Sequence, residues 1–228
     1  MLILARMSLV RTSAAAPAAP EPSTPPAYAS KGAVTADFAS VINVSFPAVV
    51  NANDIALFVQ TADSNPSGWG GTTGFTPIAS AVGGSTGARL LYKRCTGSED
   101  GTSVSFDSNG TAGQVSGQIF TISGAIVSGT PYEDASVNSG ASTSMTSNAT
   151  TISGAARLGV RIYAQGDNRA STPPSGWTEQ SEDADATIQF MVSFDTKEVT
   201  AGTEGATSRT IAGSEDWVVF DLAMIPNA

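Results

Sequence analysis

The chain has 228 residues, 41% of them hydrophobic and only 14% charged, a balance that suits one large β domain or two small ones rather than long surface helices. A net charge of −9 argues against a nucleic-acid partner, because such a surface repels phosphate on average. There is no histidine, which excludes histidine-based triads and histidine metal sites, and the single cysteine, Cys95, allows no internal disulfide.

Residues 1–31 read as an extended arm. Five of the twelve prolines fall between Ala14 and Pro26, so this segment favours polyproline-like backbone and cannot bury a core of its own. The arm carries Arg6, Arg11 and Lys31 against one acid, Glu21, and so suits docking on an acidic neighbour. Its candidate anchoring residues are Leu2, Ile3, Leu4, Arg6, Leu9 and Arg11. The run Met1 to Ala5 has no basic region before it and is broken by Arg6, so a signal peptide is not expected. No apolar run approaches the ~20 residues of a membrane helix.

From residue 32 the pattern is β. Ile42, Val44 and Phe46 alternate onto one face, and Asn51 to Asp54 reads as a turn. Ile55 to Thr61 is apolar on both faces, as in the middle of a sandwich. Phe75 to Ala81 reads as a short strand. Ala88 to Cys95 places Leu90 and Tyr92 on one face and Leu91 and Cys95 on the other. Val104 and Phe106 mark a short strand before the turn signal Asn109-Gly110, and Val115 to Ile122 closes the first half. Residues 123–150 are rich in Gly, Ser and Thr and read as a crossing connection with little regular structure, one short strand at most.

The order then repeats. Pro66-Ser67-Gly68-Trp69 returns as Pro174-Ser175-Gly176-Trp177. Arg157 to Gln165 corresponds to the strand at Ile55. Ala186 to Val192 corresponds to Ala88 to Arg94, Thr207 to Ile211 to the strand near Val104, and Trp217 to Leu222 to Gln118 to Ile122. Many short strands punctuated by turns predict an all-β, antiparallel two-sheet sandwich or jelly roll, with half-repeats at about 32–124 and 148–226.

Candidate sites are few. Trp69 and Trp177 follow strands and offer indole faces for a sugar ring, or else fold back as corners that cap the sandwich. Glu182, Asp183 and Asp185 are the best calcium candidates among the acidic clusters, although their spacing matches no calcium loop. The other acidic pairs, Glu99-Asp100, Glu133-Asp134 and Glu215-Asp216, single out no two carboxylates at a defined separation, so no catalytic residue and no cofactor site is assigned. Cys95 reads as a small buried thiol.

The run from about Pro26 to Pro226 resembles poorly characterised β-sandwich virion structural proteins of tailed bacteriophages, of the marine phage type. The resemblance lies in Pro26-Ala27-Tyr28, Asp54 to Val59, Leu91-Tyr92-Lys93-Arg94 with Gly97-Ser98-Glu99, Phe120 to Ala125 with Gly129-Thr130-Pro131, and Pro174 to Thr178. It implies a virion β-sandwich. The expected function is therefore a non-enzymatic structural protein of the virion surface, a head decoration, fibre or tail appendage. The arm of residues 1–31 would hold it to capsid or tail subunits, and it would form a homo-oligomer such as a trimer. The alternative is a lectin-like adhesin for host surface glycans. Neither reading involves nucleic acid or membrane.

Overall fold

A computed structural model describes residues 24–63, 68–71, 74–108, 113–184 and 190–227. The candidate anchoring residues Leu2, Ile3, Leu4, Arg6, Leu9 and Arg11 and the calcium candidate Asp185 lie outside the described residues, as do Pro66, Ser67 and the turn signal at Asn109-Gly110.

The protein is an all-β sandwich of two antiparallel sheets. The first half of the chain supplies β1 (Ala27–Lys31), β2 (Thr35–Asp37), β3 (Val41–Ser45), β4 (Ile55–Asp63), β5 (Thr76–Gly83), β6 (Thr86–Arg94), β7 (Ser103–Asp107) and β8 (Val115–Ser123). Its sheet runs β1-β8-β4-β6-β5, with β2 also paired to β8, while β3 and β7 form a separate ribbon. β4 is central because nearly every residue along it is buried. Ile55, Leu57 and Val59 face the second sheet, and Ala56, Phe58 and Ala62 face the ribbon. That is why its sequence lacks the polar alternation of a one-sided strand.

The second half supplies β9 (Tyr132–Thr146), β10 (Thr150–Ile152), β11 (Arg157–Gln165), β12 (Ser171–Thr172), β13 (Thr178–Ala184), β14 (Met191–Val199), β15 (Gly202–Glu204) and β16 (Ser208–Met224). β9, β16, β11, β14 and β13 lie side by side in that order, with β12 also paired to β16, and β10 pairs β15 as a ribbon. Apart from β2 and β12, this repeats the first half: β9 stands for β1, β16 for β8, β11 for β4, β14 for β6 and β13 for β5. The ribbon β10–β15 stands for β3–β7.

Three assignments made from sequence are corrected. The connection at 123–150 contains β9, a 15-residue strand paired along β16. The counterpart of β6 is Met191–Val199, not Ala186 to Val192, and the counterpart of β7 is β15, since Thr207 to Ile211 lies mostly within the long β16. The end of the arm is also structural: Ala27–Lys31 pairs β8 as the edge strand β1.

Between the sheets lies one continuous core, to which Leu57, Leu90 and Phe120 contribute from one side and Val160, Phe194 and Phe220 from the other. Each such side chain contributes roughly 1.5–3 kcal/mol by leaving water. The ribbons cover the outer faces. Ile42, Val44 and Phe106 pack on Phe58, with the Phe58 and Phe106 rings stacked at 3.5 Å. Ile152 packs on Val199 and Ala223.

The lateral edges close as well. β5 meets β9, where Ser139 donates to the Val82 carbonyl at 2.9 Å, and a Cβ on Gly83 would fall 2.3 Å from the Trp217 carbonyl oxygen. On the opposite side β1 meets β13 through Lys31 and Asp183, at 2.5 Å. The two contacts join corresponding pairs of strands, β5 and β9 broadly and β1 and β13 mainly through Lys31.

Candidate functional site

The two tryptophans of the repeated tetrapeptide lie over two buried arginines. In the second copy the Trp177 N–H donates to the Pro174 carbonyl at 3.1 Å, and Gly176 has φ +81°. This is a tight turn whose third position requires positive φ, which glycine supplies without strain. The turn folds Trp177 back onto the outer face of the second sheet. There it lies 4.0 Å from the Arg161 guanidinium, with its ring seated against the bare Cα of Gly159. Trp177 is only 8% exposed and leaves little ring surface for a ligand. It is a corner that caps a buried cation.

Trp69 differs. It is half-buried, stands 5.0 Å from the Arg89 guanidinium and borders a concavity of about 350 Å³ on the first sheet. Pro77, Ile78 and Ala79 form apolar walls, and Ser80 and Arg89 supply the polar groups. Arg89 is itself buried. Its Nε donates to Gln60 Oε1 at 2.7 Å, and its terminal nitrogens donate to the Gly70 and Asp107 carbonyls at 3.0 and 3.1 Å. Burial pulls its guanidinium down to about 10, against the opposing influence of Asp107.

The second sheet buries two more arginines, each held by carboxylates. Arg161 donates to Asp221 at 2.8 Å and to the Gly205 carbonyl, and also contacts Thr207. Arg209 donates to both oxygens of Asp195, at 2.8 and 3.0 Å, and also meets Glu179, Glu182 and Ser171. Tyr163 lies beside this layer, 5.6 Å from the Arg209 guanidinium. Burial raises Asp195 and Asp221 to about 6 each, against the pull of Arg209 and Arg161.

The acidic clusters act as clasps. Glu182 serves Arg209 and Ser171 at the start of β12. Asp183 accepts from Lys31, Ser181 and Gln118, which hold it below the ordinary carboxylate value although burial opposes this. These calcium candidates are therefore occupied by cations and donors of the chain itself. Among the described residues no group of three or more acidic or Cys side chains is placed to hold a metal. Glu99 collects the backbone N–H groups of Thr96, Gly97 and Ser98 and pairs with Lys93 at 3.0 Å. Burial works against its charge, yet these bonds lower it to about 2. Glu133 holds Arg157, Glu215 holds Arg169, and Asp216 accepts from Ser85 across the β5–β9 side.

Cys95 is buried among Ala56, Phe58 and Leu91, and burial pushes its thiol up to about 12. It is poorly suited to act as a thiolate.

Sequence reasoning missed the three arginines. Arg89 and Arg161 each interrupt an apolar run, and that is the signal that could have found them. Comparison with protein-family models, with curated proteins and with solved structures returned no match.

Proposed function

We propose that the protein is a non-enzymatic structural component of a tailed-phage virion, displayed on its surface as a head decoration, fibre or tail appendage and held there by its N-terminal arm. The observation that supports anchoring is how the arm joins the body. Its last residues, Ala27–Lys31, are hydrogen-bonded along β8 of the first sheet, and Lys31 is ion-paired to Asp183 of the second. Tyr28 adds a ring contact to Phe194, at 5.6 Å. Tension on the arm is thus shared by both sheets, as an anchor on a rigid body requires.

The test removes residues 1–23 and keeps β1. The truncated protein is expected to retain its fold and melting temperature and to be lost from purified particles. Incorporation at full occupancy would reject the anchoring role. Removal of residues 1–31 is expected to destabilise the body as well, because it strips the edge of the first sheet.

The second reading is a glycan-binding adhesin, favoured by the concavity beside Trp69. A half-buried indole beside apolar walls and a buried guanidinium suits a sugar ring better than the sealed Trp177 does. Binding to immobilised glycans that disappears in Trp69→Ala and persists in Trp177→Phe is the expected pattern.

A further inference from the structure

We propose that the N-terminal arm of one molecule docks on a second copy of the chain, setting an arginine against Glu198 in the groove between β1 and β13, so that copies associate by exchanging arms. This goes beyond anchoring to other virion proteins and stands or falls separately from it.

The internal repeat shows what this corner of the sandwich holds. Arg94 pairs with Ile55 in the first sheet as Glu198 pairs with Leu158 in the second, and Tyr132 pairs with Met224 as Tyr28 pairs with Ile122. In the first of these corners Arg94 donates to the carbonyls of Ile126 and Gly129, at 2.5 and 3.2 Å, and so clamps the segment that leads into β9. In the second corner a carboxylate stands where that guanidinium stood. The segment leading into β1 offers it no cation: residues 12–26 contain no Lys or Arg, one acid, Glu21, and five prolines, which lack an N–H.

The second corner is a groove of about 280 Å³. Ala27 and Tyr28 give it apolar surface, Thr178 and Gln180 of the edge strand β13 give it polar groups, and the exposed Glu198 stands in its lining. Lys197, the one cation of that lining, is held by Glu204 at 2.8 Å. Among the described residues Glu198 has no ion-pair partner. Such a groove suits an extended chain that carries a cation. The arm is one: Arg6 and Arg11 are its only basic residues before Lys31, and a body in a chain of net charge −9 attracts them. Arg11 lies 15 residues before Pro26. In the polyproline-like backbone that the intervening prolines favour, this is about 46 Å. A body of about 200 residues has a radius of gyration of only about 16 Å. To reach the groove at its own root the arm would have to reverse, whereas a straight arm reaches the groove of a neighbour.

Light scattering on the full chain at low salt reads the association. Two full-length variants each reverse one side of the contact: Glu198→Arg in the groove, and Arg6→Glu combined with Arg11→Glu in the arm. Glu198 is exposed, so both variants are expected to keep the wild-type melting temperature. Each alone is expected to associate about tenfold more weakly than wild type, or worse. Mixed one to one they are expected to regain association, because every arm then meets a groove of opposite charge. Wild type that stays monomeric up to about 100 μM would overturn the inference. So would Glu198→Arg associating like wild type, or a mixture no stronger than its components, since docking within one chain gains nothing from mixing. If mixing restores nothing while removal of residues 1–23 still empties the particles, this inference falls and anchoring survives.

Discussion

Arg209 is the side chain on which most buried charge depends. It is fully buried and faces Asp195, Glu179 and Glu182, so one positive charge meets three carboxylates. Burial raises Asp195, Arg209 opposes this, and Glu179 and Glu182 reinforce it, leaving Asp195 at about 6. The sign follows from linkage. A carboxyl whose folded value lies above its ordinary 3.8 contributes stability below that value and loses it as pH rises through about 6. Arg209→Met removes the compensating charge and should cost about 3–5 kcal/mol at pH 7. At pH 5 the penalty should shrink, because Asp195 can then stay protonated. Urea unfolding of wild type and variant at both pH values checks this, and an equal penalty at the two would refute it. The pairing itself was not legible in the sequence. Arg209 and Asp195 lie in different strands with nothing local to link them, and the acids of β13 look like a solvated turn until the arginine that buries them is known.

The recurrence of the tetrapeptide was legible, but the difference between its two tryptophans was not. Proline, glycine and tryptophan at fixed spacing specify a tight turn followed by a large ring. What the ring meets is set by strands far away in sequence, Gly159 and Arg161 for one copy and Arg89 for the other. Trp177→Ala should therefore cost about 3–5 kcal/mol, as a buried tryptophan does, and Trp69→Ala roughly half of that or less. Denaturation midpoints of the two variants test this, and equal losses would remove the distinction between corner and exposed rim. Element legibility followed the same logic. β4 and β11 are buried on both faces and read as largely apolar runs. β9 escaped notice because its pairing is carried by backbone, while its Ser, Ala and Thr side chains are mostly half-buried. β14 was placed too early because Asp195, Thr196 and Lys197 read as polar, although the first two are buried.

At the scale of the whole molecule, the repeat raises the question of whether the halves are domains or parts of one. The packing answers it. The inner face of each sheet is apolar, and among the described residues it is covered by the inner face of the other. The seams tie β5 to β9 and β1 to β13, and the chain ends of the halves cross at the bridge between Ala125 and Pro226. Neither half can bury its core alone, since a single sheet leaves Leu57, Leu90 and Phe120 in water on one side. The full chain is therefore expected to melt in one cooperative transition, with calorimetric and van't Hoff enthalpies in a ratio of about one. Residues 24–126 expressed alone should form no folded monomer, and light scattering should find dimers or aggregates as the exposed inner faces seek cover. Two resolved transitions in the full chain, or a stable monomeric half, would mean that the sheets are independent domains. Tension on the arm would then be borne by the first sheet alone.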